Sequence, residues 1–172
     1  MVRAILDGRK TCTRRTLKHP FIVHPNGYIT KPRGNENLCP YDSPYQRGDI
    51  LYVRETWKNA PNGYYYYENW QRDDIADVTK WKPSIHMPKE AARIWLKVTN
   101  VRVERLQDIT ADSIRNEGLS SLAVHCGDME IALKEWENLW NSTIKKSDLD
   151  RYGWDANPWV WVIEFEQCEK LN

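Results

Sequence analysis

The residues most suited to chemistry lie together near the start of the chain, in the segment Gly8-Arg9-Lys10-Thr11-Cys12-Thr13-Arg14-Arg15. This segment contains four cations and two threonine hydroxyls, and Asp7 is the nearest carboxylate. Cations and hydroxyl groups together suit an anionic ligand that accepts hydrogen bonds, and nucleic acid or a nucleotide is the obvious class. A basic strand at the edge of a sheet is the structural alternative, because charged side chains block edge-to-edge pairing.

A short helix and a strand are predicted to position these residues. The apolar pattern over residues 2–6 fits one and a half turns of helix, and Gly8 is the usual residue for a left-handed cap that ends it. In a strand that follows, neighbouring side chains alternate between the two faces. Thr13 is therefore expected to point away from Cys12 and Arg14.

The charge of the chain limits the kind of nucleic-acid site that it could carry. Its 172 residues predict a single domain, and 25 Lys and Arg against 24 Asp and Glu give a net charge of +1. Residues 1–34 contain eight of these cations (3, 9, 10, 14, 15, 18, 31 and 33) and one carboxylate. A polyanion would therefore bind at a local patch in the first fifth of the chain.

The aromatic composition also suits a wet surface. The chain contains nine Trp and nine Tyr but only two Phe. Trp and Tyr both carry a polar atom on an apolar ring system. Such rings stack on nucleic-acid bases, although most of the tryptophans are expected to serve the core.

Neither a metal nor another cofactor is predicted. The four cysteines (12, 39, 126 and 168) and four histidines (19, 24, 86 and 125) have no zinc-binding spacing, and His125-Cys126 are adjacent. The chain also has no secretory signal and no apolar run of membrane length, which predicts a soluble, cytoplasmic protein.

The remaining pattern predicts several strands and two or three short helices without a repeating β-α-β order. Segments 19–48 and 58–92 interrupt it as long insertions, the first an irregular loop with at most one short hairpin and the second containing an aromatic strand over Tyr64–Tyr67. Further strands are predicted over 50–57, over 94–103 with a bulge at Thr99-Asn100, and over 159–165. Helices are predicted over 111–117, capped by Thr110 and ended by Gly118, and over 128–142. These elements indicate an α+β fold, a small mixed β-barrel.

Four phrases in order give the chain a resemblance to a known family. They are the Gly8–Arg15 segment, the run Leu51-Tyr52-Val53-Arg54-Glu55-Thr56-Trp57, the run Lys82-Pro83-Ser84-Ile85-His86-Met87-Pro88, and Asn157-Pro158-Trp159-Val160-Trp161. Together with a Val-Glu-Arg-Leu strand before a helix that ends in Glu, they resemble ASCH domains of the type carried by tailed phages and prophages. The resemblance spans nearly the whole chain and implies a PUA-like barrel, in a host cytoplasm if the protein is phage-encoded. Phage relatives usually have a strand before the first helix. Either the barrel lacks that strand here, which would leave an open sheet edge, or this start site is downstream of the usual one.

ASCH proteins also resemble small bacterial amidohydrolases that remove the acetyl group from N4-acetylcytidine. Those enzymes use a Lys and a Thr of the first segment and a Glu at the end of the following helix. Carried over position by position, the resemblance implies Lys10, Thr13 and Glu117 as catalytic residues. In that chemistry Thr13 attacks or positions water, Lys10 acts as base or stabilises an oxyanion, and Glu117 carries a proton to the leaving amine.

The sequence leaves other functions open. One is a non-catalytic module, or a ribonuclease, that binds RNA or single-stranded nucleic acid; another is a phage protein that binds a host factor through the 19–48 loop. Candidate residues for contact with substrate or nucleic acid are Arg9, Thr11, Arg14, Arg15, Arg54 and Trp57.

Overall fold

A computed structural model of the protein describes residues 1–18, 20–26, 28–33, 37–40, 43–69, 80–119 and 128–170. The fold is a mixed α+β architecture built on a strongly curled antiparallel sheet of four strands, which forms a half-barrel. In spatial order, with strands numbered along the chain, this sheet contains β1 (Cys12–Thr16), β9 (Trp159–Cys168), β8 (Trp95–Arg105) and β5 (Ile50–Tyr52). The predicted α+β class is confirmed, and the sheet closes only half of the predicted barrel.

The two longest strands, β8 and β9, lie in the middle of the sheet. Alternate side chains of each strand pack against different core clusters on the two faces. Val160 and Val162 of β9 pack in one core cluster with the helices, whereas Trp161 and Ile163 pack in another cluster on the opposite face. The β8–β9 register shifts between Val98 and Asn100, which confirms the predicted bulge. A strand buried on both faces needs apolar residues at successive positions, as this part of β9 has.

Four α-helices are found among the described residues: α1 (Val2–Leu6), α2 (Ala111–Asn116), α3 (Met129–Thr143) and α4 (Leu149–Tyr152). The Thr110 side chain accepts a hydrogen bond from the amide of Ser113, and Gly118 has a φ of +91° after α2, so both predicted ends of this helix are confirmed. The predicted helices over 2–6, 111–117 and 128–142 correspond to α1, α2 and α3, and only the four-residue helix α4 was not predicted. None of the described helices has the length and apolar character needed to cross a membrane.

The two insertions contain more regular structure than the sequence predicted. The first contains a three-stranded sheet of β2 (Ile22–Val23), β3 (Ile29–Arg33) and β4 (Asn37–Pro40), so the prediction of an irregular loop was wrong for these residues. The second contains the hairpin of β6 (Trp57–Ala60) and β7 (Gly63–Tyr66). The other parts of the two insertions include residues 19, 27, 34–36, 41, 42 and 70–79, which lie outside the described residues.

The predicted strand over 50–57 is divided. β5 ends at Tyr52, and Trp57 begins β6 in a different sheet. Between them the Glu55 carboxylate is buried and accepts two hydrogen bonds from Arg93, at 2.7 and 2.8 Å. A buried carboxylate needs such partners, and reaching Arg93 takes the chain out of the β5 strand.

Candidate functional site

Lys10 and Glu117, far apart in sequence, meet in the protein interior. The Lys10 Nζ donates to the Glu117 Oε2 at 2.6 Å and to the Glu117 main-chain oxygen at 2.9 Å. Only 6% of Lys10 and 1% of Glu117 are exposed. The structure therefore brings together two of the three residues that the resemblance implied as catalytic, and it removes Lys10 from the solvated edge strand considered as the structural alternative.

The backbone around this pair is fixed by the ends of two helices. After α1 the amide of Lys10 donates to the Ala4 carbonyl at 2.9 Å, and the amide of Thr11 donates to the Asn116 carbonyl at 2.8 Å. Gly118 follows Glu117 in left-handed conformation, and a Cβ there would lie 2.8 Å from the Ala4 Cβ and 3.0 Å from the Lys10 Cβ. Glycine is thus required for both the turn and the close packing.

Arg14 is a second buried cation on the same carboxylate. Its Nη1 donates to the Glu117 Oε1 at 3.1 Å, and its Nη2 donates to Glu104 at 2.6 Å. Arg14 is 2% exposed, so it is not placed to contact nucleic acid at the surface as the sequence suggested. Its position instead makes Glu117 a carboxylate with one cation on each oxygen.

The charged contacts continue across the sheet and were missed by sequence reasoning. Arg102 donates to the second oxygen of Glu104 at 3.2 Å and also pairs with Glu164. Positive and negative groups thus alternate from Lys10 to Glu164. The available signal was the alternation along β8, where Arg102 and Glu104 share one face while valines occupy the other.

Cys12 lies within this network as a protonated thiol. Its Sγ is 3.9 Å from the Arg14 Nη1 and 4.0 Å from the Ser113 carbonyl oxygen. Burial, with a smaller contribution from the negative charge of Glu117, raises the pKa of Cys12 to about 11. At neutral pH the thiolate is therefore not available as a nucleophile.

A polar cavity of about 260 Å³ adjoins this network. Most of the residues that line it are polar; they are Thr11, Cys12, Thr99, Arg102, Ser113, Asn116, Glu164 and Phe165. Two contacts lead from it to the buried carboxylate, since Cys12 of the wall touches Arg14 and Arg14 binds Glu117. Few precisely placed polar groups in a small concavity are typical of sites that orient a ligand.

Thr13, the third residue implied as catalytic, lies on the opposite face of β1. It stands between Cys12 and Arg14, whose side chains are buried on the side of Glu117, and strand alternation directs its own side chain away. No hydrogen bond among the described residues joins Thr13 to Lys10 or Glu117.

The other sequence candidates are spread over the molecule. Arg9 is near the pair, because its Nη1 donates to the Gly118 carbonyl at 3.0 Å. Arg15 is exposed. Arg54 is exposed and donates to the Ile85 carbonyl, while Trp57 is 5% exposed and packs in a separate core cluster. No hydrogen bond within the described part of the chain links Arg54 or Trp57 to the Lys10–Glu117 pair.

Metal binding receives no support from the arrangement of side chains that the structure describes. No group of three or more His, Cys, Asp or Glu residues with metal-binding geometry occurs among the described residues. His19, His125 and Cys126 lie outside them.

Comparisons with protein-family models, with curated proteins and with solved structures found no significant match to this chain.

Proposed function

We propose that this protein is a PUA-like protein of the ASCH type that hydrolyses the acyl amide of a modified nucleoside or base, such as N4-acetylcytidine. The observation that carries the proposal is the buried 2.6 Å contact between the Lys10 Nζ and the Glu117 Oε2. These are the residue types that the resemblance assigns to the reaction, at the positions that it assigns. The proposal places the reaction in the cytoplasm, where nucleosides and RNA occur.

The pair supports the two requirements of amide hydrolysis. A water molecule attacks the acetyl carbonyl, and the positive charge of Lys10 stabilises the oxyanion that forms. Glu117 takes the proton of that water and delivers it to N4 as the C–N bond breaks, so the products are acetate and the free cytosine amine. Arg14 holds the second oxygen of Glu117 and thereby fixes the orientation of the carboxylate.

Water is assigned as the attacking group because the alternation along β1 directs Thr13 to the other face of the sheet. The neutral thiol of Cys12 is a poor nucleophile for the same reaction. Both side chains are therefore given no covalent step.

The 260 Å³ cavity is the proposed place for the nucleobase. Asn116 and Ser113 offer amide and hydroxyl groups that match the hydrogen-bonding edge of a pyrimidine. The cavity is connected to Glu117 through Cys12 and Arg14, so the proposal requires both of these side chains to move when the acyl group enters.

The test is incubation of the full chain with N4-acetylcytidine, N4-acetylcytosine and acetylated RNA, with chromatographic detection of the deacetylated product. Glu117→Gln is expected to lower turnover by at least about 100-fold, since the titratable proton carrier is lost. Glu137→Gln, which alters a carboxylate paired with Lys134 on α3, is the matched control and should retain full activity. Thr13→Val should also retain activity if water attacks.

Two results would contradict the proposal in different ways. Absence of product with all three substrates would reject the hydrolase function and leave the pair as a structural ion pair. Loss of activity in Thr13→Val with a retained fold would reject the water step and return the attack to the threonine hydroxyl.

A further inference from the structure

A second cavity opens at the other end of β1, away from Lys10 and Glu117. It has a volume of about 420 Å³ and is lined by three aromatic rings and two arginines, namely Phe21, Arg105, Arg151, Tyr152 and Trp159. The β8–β9 register pairs Arg105 with Trp159, and the amide of Leu17 donates to the Trp159 carbonyl. Because β1 rises by about 3.3 Å per residue, its five residues separate this cavity from the first site by about 13 Å or more.

The two arginines of this cavity form no salt bridge with a carboxylate in the part of the chain that the structure describes. Among the described residues no carboxylate lies within salt-bridge distance of Arg105 or Arg151, whereas Arg14, Arg93 and Arg102 each bind one or two. Both guanidinium groups are exposed, and the acidic residues of the neighbouring segment, 150 and 155, line a different cavity. This end of the sheet therefore presents positive charge that no described carboxylate neutralises.

Two of the aromatic rings lie against these cations. The Arg105 Cζ lies 4.5 Å from the centroid of the Trp159 ring, and its Nη1 donates to the Asn157 carbonyl at 2.9 Å. The Arg151 Cζ lies 6.0 Å from the centroid of the Tyr152 ring. Both rings are half-buried, so each is fixed by the fold and still reaches the cavity.

We infer that this cavity binds a nucleotide unit, with the base against the rings of Tyr152 and Trp159 and the phosphate on Arg105 and Arg151. Aromatic rings and guanidinium planes stack on any base, and a pair of arginines supplies charge-assisted hydrogen bonds to phosphate oxygens. A free nucleotide and one unit of a single strand share this chemistry. The inference does not depend on the proposed hydrolase, because no residue is common to the two sites.

The experiment measures binding of cytidine monophosphate and of fluorescein-labelled single-stranded oligocytidylate RNA to the full chain at several salt concentrations. In the variant Arg105→Gln/Arg151→Gln, affinity is expected to fall at least about tenfold, because two charge-assisted contacts are lost. For the oligonucleotide, the slope of log affinity against log salt should decrease by about 0.7, the value for one phosphate that is no longer neutralised on a single strand.

Arg3→Gln is the matched control, because Arg3 is an exposed arginine that donates to a main-chain carbonyl and lies on α1. It should leave both affinity and salt slope unchanged. Circular dichroism verifies the fold, and Arg151→Gln alone serves if the double variant unfolds, since its side chain makes only the Tyr152 ring contact among the described residues.

The source of the nucleotide follows from the two probes. Much tighter binding of the oligonucleotide identifies a single strand as the ligand, and similar affinity per nucleotide identifies a free nucleotide; both support the site. Failure of the full chain to bind either probe at millimolar concentration, full retention of binding in the arginine variants, or an equal loss in Arg3→Gln would overturn it. Deacetylation is assayed separately, so either proposal can fail alone.

Discussion

Lys10 donates two hydrogen bonds to Glu117, one to the carboxylate Oε2 at 2.6 Å and one to the main-chain oxygen of the same residue at 2.9 Å. The first contact balances a buried charge, and the second satisfies a carbonyl at the end of α2. One side chain thus closes the helix end and positions the carboxylate. A substitution at residue 10 must therefore affect stability as well as any chemistry.

The first prediction concerns the free energy of unfolding. Glu117→Gln should cost about 3–5 kcal/mol, since it leaves the buried Lys10 ammonium without a carboxylate, and Lys10→Met should cost less because Arg14 still pairs with Glu117. The double variant should cost clearly less than the sum of the two, because neither charge is then left alone. In the basic edge strand that was the structural alternative from sequence, Lys10 would instead be solvated and contribute little to stability.

The measurement is a double-mutant cycle by urea unfolding. The control cycle uses Lys134→Met and Glu137→Gln, an exposed i,i+3 pair on α3 at 3.0 Å, whose coupling should be about 0.2–0.5 kcal/mol. Equal coupling in the two cycles would show that the buried pair is not strongly linked.

Local patterns in the sequence were sufficient for elements whose ends are set by neighbouring residues. The Thr110 cap, the left-handed Gly118 and the bulge near Thr99 each depend on a few adjacent positions, and all three are present. The partners of Arg14 could not be found in this way. They are 90 and 103 residues away, and only the pairing of β1, β9 and β8 with α2 brings them together.

Contacts between residues distant in sequence also explain why the predicted strand over 50–57 is divided and why the sheet of β2–β4 was not predicted. The run 50–57 has strand propensity throughout, but the Glu55 carboxylate is held by Arg93, 38 residues later. Segment 19–48 is rich in proline and glycine, and this composition predicted a loop where β2–β4 form. The strands form there because tertiary packing, such as that of Ile29 in a core cluster, overrides local propensity. For the site, a resemblance carried by residue types indicated Lys10 and Glu117. The burial of these two residues and the charges that surround them could be described only from the folded structure.

The second prediction concerns Gly118 as the residue that sets the distance between α2 and Lys10. Gly118→Ala should destabilise the protein by about 1–3 kcal/mol, because alanine is strained at a φ of +91°. The new Cβ would also lie 2.8 Å from the Ala4 Cβ. Gly48→Ala is the matched control, since Gly48 also has positive φ but no atom within 4 Å of the added Cβ.

Thermal unfolding and turnover measured together separate the two effects. Strain alone would lower the stability of both variants equally and spare activity, whereas displacement of Lys10 would make Gly118→Ala the less stable variant and reduce its turnover further. Equal stability of the two variants would contradict the close-packing argument.

The last prediction uses the raised pKa of Cys12 to give a pH dependence. The pKa of the thiol rises from 9.0 to about 11 on folding, mainly through burial. Between these values the unfolded chain releases the proton and the folded protein keeps it, so the free energy of unfolding falls as pH rises from 9 to 11. Below pH 9 this contribution is fully present, and by about pH 11 some 2–3 kcal/mol should be lost at 1.36 kcal/mol per pKa unit. Cys12→Ala removes the titrating thiol and leaves the other ionisable groups in place. The difference in free energy of unfolding between the natural chain and Cys12→Ala, measured by urea unfolding, should therefore become smaller from pH 9 to pH 11. A difference that stays constant with pH would show that the thiol does not ionise differently in the two states.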